Sequence, residues 1–196
     1  MQVVRLAVSV VVGGVVGGVV LAGCSSSEQA SGTLPSATAV SASPSSSLPP
    51  LGPADLPMPA EARQQTPKAA ATFIAYYLQL INRTNRDMDA QYLRQLSRSC
   101  DTCDRIADET DQDRASNYHY QGGELAINGE LDASITSAGK AESAFTLRQA
   151  ELQVLDIAGS PVPELEFAAI ENMSSGASVI WDDQSTSWRI TELTLG

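Results

Sequence analysis

The ten aromatic residues and the ten prolines of this 196-residue chain occupy different stretches. Every Phe, Tyr and Trp lies between Phe73 and Trp188, whereas eight prolines fall between Pro35 and Pro67. Aromatic side chains carry much of the apolar area that a core needs. A segment without them, rich in Pro and Ser, cannot bury enough surface to offset chain entropy. The chain is therefore expected to divide into a leader over 1–23, a tether over 24–60 and one globular domain over 61–196. The charge divides in the same way. The net charge is −11, and only Arg5, Glu28 and Asp55 among the charged residues precede residue 61. With only Lys68 and Lys140 as lysines, the chain lacks the clustered cations that phosphate contacts require, which argues against a nucleic-acid partner. One His and three Cys are a poor supply for a four-ligand zinc site.

The leader begins Met1-Gln2-Val3-Val4-Arg5, continues as a Val/Gly run and ends Leu21-Ala22-Gly23-Cys24. A positive start, an apolar run and small residues before a cleavage point are the parts of an export signal. Leu-Ala-Gly-Cys resembles the bacterial lipobox. That resemblance implies cleavage between Gly23 and Cys24, with the Cys24 thiol taking a thioether-linked diacylglycerol. It also places the mature chain on the extracytoplasmic face of the cell membrane, anchored by lipid, since two or three acyl chains hold stably where one does not. The alternative is a retained membrane helix, and the uncharged run from Leu6 to Gly23 is at the short limit for spanning. Residues 25–60 then read as a disordered tether, with a random-coil reach of roughly 30–36 Å.

In the domain the apolar period is first helical and then alternating. Thr66-Pro67 is a good helix start, because Thr can cap and Pro at the first helical position loses no hydrogen bond. Ala70, Phe73, Ile74, Tyr77, Leu80 and Ile81 follow the spacing of one buried face. A short second helix carries Tyr92, Leu93 and Leu96, with Asp87 or Asp89 as its cap. A third runs from Asp101 to Asn117, and Gly122-Gly123 ends the helical region. From Leu125 to Ile135 apolar and polar residues alternate as in a strand with one buried face, with Gly129 as a bulge or bend. Ser137–Lys140 is a hairpin turn. A long strand over 141–155 breaks near Ala150. Further strands cover 164–172, 176–182 and 187–194, with Asp182–Ser187 as a turn. Helices followed by an antiparallel meander indicate the α+β class.

This order resembles the cone-shaped nuclear-transport-factor-2-like (SnoaL-like) fold. It is also similar to a family of actinobacterial lipoproteins whose domain has no assigned function. The residues that carry the likeness are the lipobox and Pro-rich tether, the Thr66-Pro67 helix with Tyr76-Tyr77, and Leu93–Ser97 ahead of Cys100-Asp101-Thr102-Cys103. Gly122-Gly123 and the closing Trp188-Arg189-Ile190 complete the set. The resemblance implies helices packed on a curved antiparallel sheet, and it supplies no catalytic residues.

The chemistry on offer is limited. Cys100 and Cys103, at the start of a helix, are expected to form a structural disulfide in an exported protein. A redox pair uses the same spacing, because a helix N-terminus lowers a thiol pKa, but it belongs with a βαβ context; metal binding is the remaining alternative. His119 stands alone between Tyr118 and Tyr120 and needs a partner to act as acid or base. The acidic run Asp101–Asp113 lacks the calcium-loop pattern and reads as a solvated helix face, with Asp101 and Arg105 as an i, i+4 pair. Phe73, Tyr76, Tyr77, Phe145, Phe167, Trp181 and Trp188 are assigned to the core or to the lining of a cavity. No phosphate loop, GxSxG elbow or HExxH occurs. The expected function is a lipid-anchored, non-enzymatic binding domain without a cofactor. Its partners would be the membrane, through the lipid on Cys24, and an envelope protein or a small apolar ligand. The rivals are a cone-fold hydrolase or isomerase and a structural accessory subunit.

Overall fold

A computed structural model describes residues 48–196. The expected leader, the Gly23/Cys24 cleavage and lipidation site, and the tether up to residue 47 lie outside the described residues. Helix α1 spans Pro67–Asp87, α2 Gln91–Gln95 and α3 Asp101–Ala115. Eight strands follow: β1 His119–Gly122, β2 Leu125–Asn128, β3 Ser134–Ser137, β4 Lys140–Gln149, β5 Leu152–Leu155, β6 Pro161–Phe167, β7 Ile170–Asp182 and β8 Ser187–Leu195. Among the described residues no helix is long and apolar enough to cross a membrane.

Local signals account for the helices. The Thr66 hydroxyl accepts from the Ala69 amide at 3.2 Å, Pro67 is the first helical residue, and Met88 closes the helix at φ 53°. Helix α1 buries eleven of its 21 residues, Phe73, Ile74, Tyr77, Leu80 and Ile81 among them. Their partners in the same core are Leu147 of β4, Val179 of β7 and Trp188 and Ile190 of β8, all at most 1 % exposed.

The strands form two antiparallel sheets. In the larger, β4 pairs with β7 from Lys140–Ile180 to Gln149–Ile170, β7 pairs with β8, and β2 and β3 share the other edge of β4. In the smaller the order is β1-β5-β6. Three stretches of chain cross from one sheet to the other, at Gly123–Glu124, Ala150–Glu151 and Ala168–Ala169. The Gly123 amide donates to the Glu151 carbonyl at 2.8 Å, and the Ala150 amide to Glu124 at 3.0 Å, so bonds continue through the bend. Gly122 has φ 76°, and a Cβ there would collide with the Glu151 carbonyl. This bend therefore requires glycine.

The helix-then-meander order, the Ser137–Lys140 turn, the Asp182–Ser187 turn and the break near Ala150 match the expectation. Other details differ. The strands expected over 164–172 and 176–182 are instead β6, Pro161–Phe167, and one long β7, Ile170–Asp182, because the chain changes sheet at Ala168–Ala169. Helix α3 stops at Ala115, with Asn117 at φ 58°, and His119–Gly122 is a strand, so Gly122-Gly123 marks a bend between strands instead of a helix end. The expected single strand over 125–135 is two, because Gly129 at φ 86° turns the chain out of β2. Arg105 pairs with Glu109 at 3.2 Å, not with Asp101.

The largest difference concerns the tether. Its last ten residues are part of the domain. Met58 is 8 % exposed, and Leu51 and Leu56 pack on the core. The Tyr76 hydroxyl donates to the Leu56 carbonyl at 2.9 Å, and Arg83 pairs with Asp55 at 3.0 Å. Arg63 donates to the carbonyls of Pro49, Ser185 and Thr186. The prolines here shape a fitted strap, since three apolar side chains supply burial that composition alone does not reveal. Met58→Ala in the full chain is expected to cost about 2–3 kcal/mol by thermal denaturation, whereas truncation of a side chain on a free tether would leave the melting curve unchanged.

Candidate functional site

Cys100 and Cys103 form a disulfide, and each is 1 % exposed. The Cys100 sulfur also accepts from the Cys103 amide at 3.3 Å, capping α3. The bridge fixes the junction between α2 and α3, and that junction has a task in the sheet. The Arg98 amide donates to the Ile190 carbonyl at 2.8 Å, and the Ile190 amide to Leu96 at 3.0 Å. The junction thus covers the outer edge of β8, which would otherwise present free hydrogen-bonding groups. Burial of both sulfurs keeps them from a redox partner, which favours the structural role over thiol exchange.

His119 is exposed on β1. Its neighbour Tyr120 is half-buried, and its hydroxyl donates to Asp113 Oδ2 at 2.5 Å. Burial and that carboxylate push the Tyr120 phenol well above its ordinary pKa, and the hydroxyl is engaged by Asp113. Around it, Asn82, Asn85, Arg86, Gly122 and Glu124 line a cleft of about 70 Å³, enough for water only. Asn82 is already committed, with its side-chain amide bonded to both the N–H and the carbonyl of Leu125 at 2.8 and 2.9 Å. Beside it a depression of about 270 Å³ is lined by Asp55, Arg83 and Arg86. Its cations are matched by Asp55, Asp87 and Asp89.

The acidic residues of α3 are largely paired as well. Arg94 reaches Asp108 and Asp111 at 2.7 and 2.9 Å, and Arg114 reaches Asp111 at 3.0 Å. Among the described residues no three His, Cys, Asp or Glu side chains converge as metal ligands. One carboxylate that the sequence did not single out is buried: Asp182, 8 % exposed, accepts from Arg189 Nε at 2.6 Å and from the Ser185 hydroxyl at 2.9 Å. Burial works to raise its pKa, but the guanidinium and hydroxyl bonds outweigh it and hold the carboxyl below its ordinary value. It locks the β7–β8 turn on which Arg63 rests.

The space between helices and sheet is filled. Phe73, Ile74, Tyr77, Leu93, Leu147, Trp188 and Ile190 are fully buried, and the Tyr77 hydroxyl donates to the Leu93 carbonyl at 3.1 Å. The Trp188 indole donates to the Gln64 carbonyl at 2.9 Å and meets Trp181 edge-on at 5.4 Å. Phe167, assigned above to the core or a cavity lining, is instead 48 % exposed, because β6 lies at the free edge of the small sheet.

A surface groove of about 680 Å³ lies beside α1. One wall is the first half of α1, through Lys68, Ala71, Thr72 and Ala75; the other is the β2–β3 connection, Glu130–Ala133. Small side chains on the helix leave the space open. The Thr72 hydroxyl is satisfied by the Lys68 carbonyl at 2.9 Å, and the opposite wall is held where the Ser143 hydroxyl donates to the Asp132 carbonyl at 2.5 Å. Lys68 stands on one side, Glu130 and Asp132 on the other. Sequence reasoning missed this groove because its walls are joined only by tertiary packing. The one signal available was Gly129, which releases the chain from β2.

No family model matches the sequence, and no curated protein matches it. Among solved structures the chain is similar to the intermembrane space region of the chloroplast protein ARC6, at 15 % identity and TM-score 0.49, over 67 % of this chain and 97 % of that one. It is also similar to a nuclear transport factor 2-like superfamily protein from Salmonella enterica serovar Typhimurium LT2. That match has 10 % identity and TM-score 0.38, over 63 % of this chain and 92 % of the other. Likeness at this level says nothing about activity.

The disulfide closes a very short loop, so replacing both cysteines, Cys100→Ser with Cys103→Ser, is expected to cost about 2 kcal/mol by the loop-entropy relation. Denaturant unfolding of the full chain measures it. An unchanged midpoint would show that the bridge does not hold the α2–α3 junction.

Proposed function

We propose that this protein is a lipid-anchored, extracytoplasmic binding protein. On this reading Met1–Gly23 is removed, Cys24 carries the lipid, and the segment up to residue 50 tethers an NTF2-like domain that begins near Leu51. The domain binds a small apolar ligand at its surface. The observation that carries the binding reading is the groove between α1 and residues 130–133, apolar along its floor and charged at its edges. Apolar walls supply affinity at about 25 cal/mol per Å² buried. The cation on one rim and the two carboxylates on the other give a ligand with a polar end a preferred direction. The anchor reading is supported by Leu21-Ala22-Gly23-Cys24 after an uncharged run. A catalytic reading has less support, since His119 faces solvent and the Tyr120 hydroxyl is tied to Asp113.

The test is a fluorescence titration of the full chain with N-phenylnaphthylamine, an apolar probe. Saturable binding is expected. Ala75→Trp, which fills the groove, and Leu131→Asp, which charges its floor, are each expected to weaken it at least about tenfold, or 1.4 kcal/mol. Binding that both variants leave intact would place the ligand elsewhere and refute the groove as the site.

A further inference from the structure

From Asp156 to Asn172 no residue is buried. The stretch contains the β5–β6 turn, all of β6 and the start of β7. It is nevertheless apolar. Ile157 is 81 % exposed, Phe167 48 % and Ile170 44 %, three of the five large hydrophobic residues exposed among the described residues. The register shows how Phe167 comes to be bare. Tyr120 lies opposite Val154, and the Tyr120 hydroxyl reaches Asp113, so this side of the small sheet faces α3. Leu152, two residues from Val154, shares that side and lies opposite Phe167. The same side is thus covered at β5, where Val154 is 3 % exposed, and open at β6.

The charges and the backbone narrow what can cover it. Every charged residue in the stretch is acidic: Asp156, Glu164, Glu166 and Glu171. A second copy would bring the same four carboxylates against themselves, on chains of net charge −11, and an anionic lipid surface would be repelled likewise. Strand addition is blocked along the first half of β6. Pro161 and Pro163 have no N–H to donate, and Glu164 at φ 67° breaks the extended conformation. Along that half, recognition runs through side chains. The geometry points to the β6 edge as a docking surface for a protein partner that presents an apolar hollow rimmed by Lys and Arg. Phe167 and Ile170 are the anchors that enter the hollow. Glu166 and Glu171 meet its rim and set register and on-rate. The surface shares no residue with the α1 groove and stands independently of any ligand there.

The experiment follows amide resonances of the isotope-labelled full chain during titration with a synthetic amphipathic Leu/Lys helix. A Leu/Glu helix and phosphatidylglycerol vesicles serve as comparison probes, with sedimentation for self-association. The Leu/Lys helix is expected to shift resonances between Val162 and Asn172. The double variant Phe167→Ser with Ile170→Ser is expected to weaken it at least about tenfold, with the melting temperature retained because both side chains are exposed. Asp104→Asn with Asp108→Asn on α3 is expected to leave it unchanged. Four results would overturn the proposal: binding indifferent to the Phe167/Ile170 substitutions, binding lost with the α3 pair, equal binding of the Leu/Glu helix, or an arm that the vesicles or a second copy occupy instead.

Discussion

Helix α1 must be buried on two sides at once, and the rest of the domain follows from that requirement. An ordinary surface helix shows one apolar stripe, whereas here the adjacent Tyr76 and Tyr77 are both buried and point their hydroxyls to different partners. Tyr77 bonds the Leu93 carbonyl of α2, and Tyr76 bonds the Leu56 carbonyl of the entering strap. The sheet covers one side through Leu147, Val179, Trp188 and Ile190. The strap covers another through Leu56, Met58 and Ala62. Trp188 joins the two, since its indole is fully buried and its N–H reaches the Gln64 carbonyl at the helix entrance.

The parts that depend on local chemistry were legible in the sequence. The Thr66-Pro67 start acts through a cap and a fixed φ, the Ser137–Lys140 and Asp182–Ser187 turns act through their own residues, and the period of 3.6 followed by 2 separates helices from strands. The parts that depend on distant partners were not. Leu51, Leu56 and Met58 have no period, and among so many prolines they look like tether until the second side of α1 demands a cover. Strand β1 is only four residues long, and nothing in Tyr118–Tyr120 separates it from the end of α3. The exposure of Phe167 is a property of where β6 falls in the strand order, and a period of 2 cannot tell a central strand from an edge. Of the candidate residues, Cys100 and Cys103 were readable because three residues at a helix start bring two thiols together. The groove was not, because it is bounded by the absence of side-chain bulk at Ala71 and Ala75.

Electrostatics divides the surface into spent and available regions. On α3, Asp108, Glu109 and Asp111 pair with Arg94, Arg105 and Arg114, and in the β7–β8 turn Asp182 pairs with Arg189. The exposed pairs on α3 contribute little to stability, but they engage three of its six carboxylates. The acids around β6 have no cation in their own stretch, and there the exposed apolar residues also gather. The α1 groove holds both signs at its rims. The two surfaces differ in chemistry, as the proposed ligand groove and the proposed docking edge require.

The proposed presentation at a membrane would give those surfaces their context and is the central claim of the account. It rests on Cys24, the third cysteine, which sits directly after Leu21-Ala22-Gly23. Intact-mass spectrometry of the protein purified from a bacterial host that processes lipoproteins is the direct test. The account predicts a mature chain that begins at Cys24 and carries the mass of a diacylglyceryl group with or without a further acyl chain. A chain that still begins at an unmodified Met1 would contradict it.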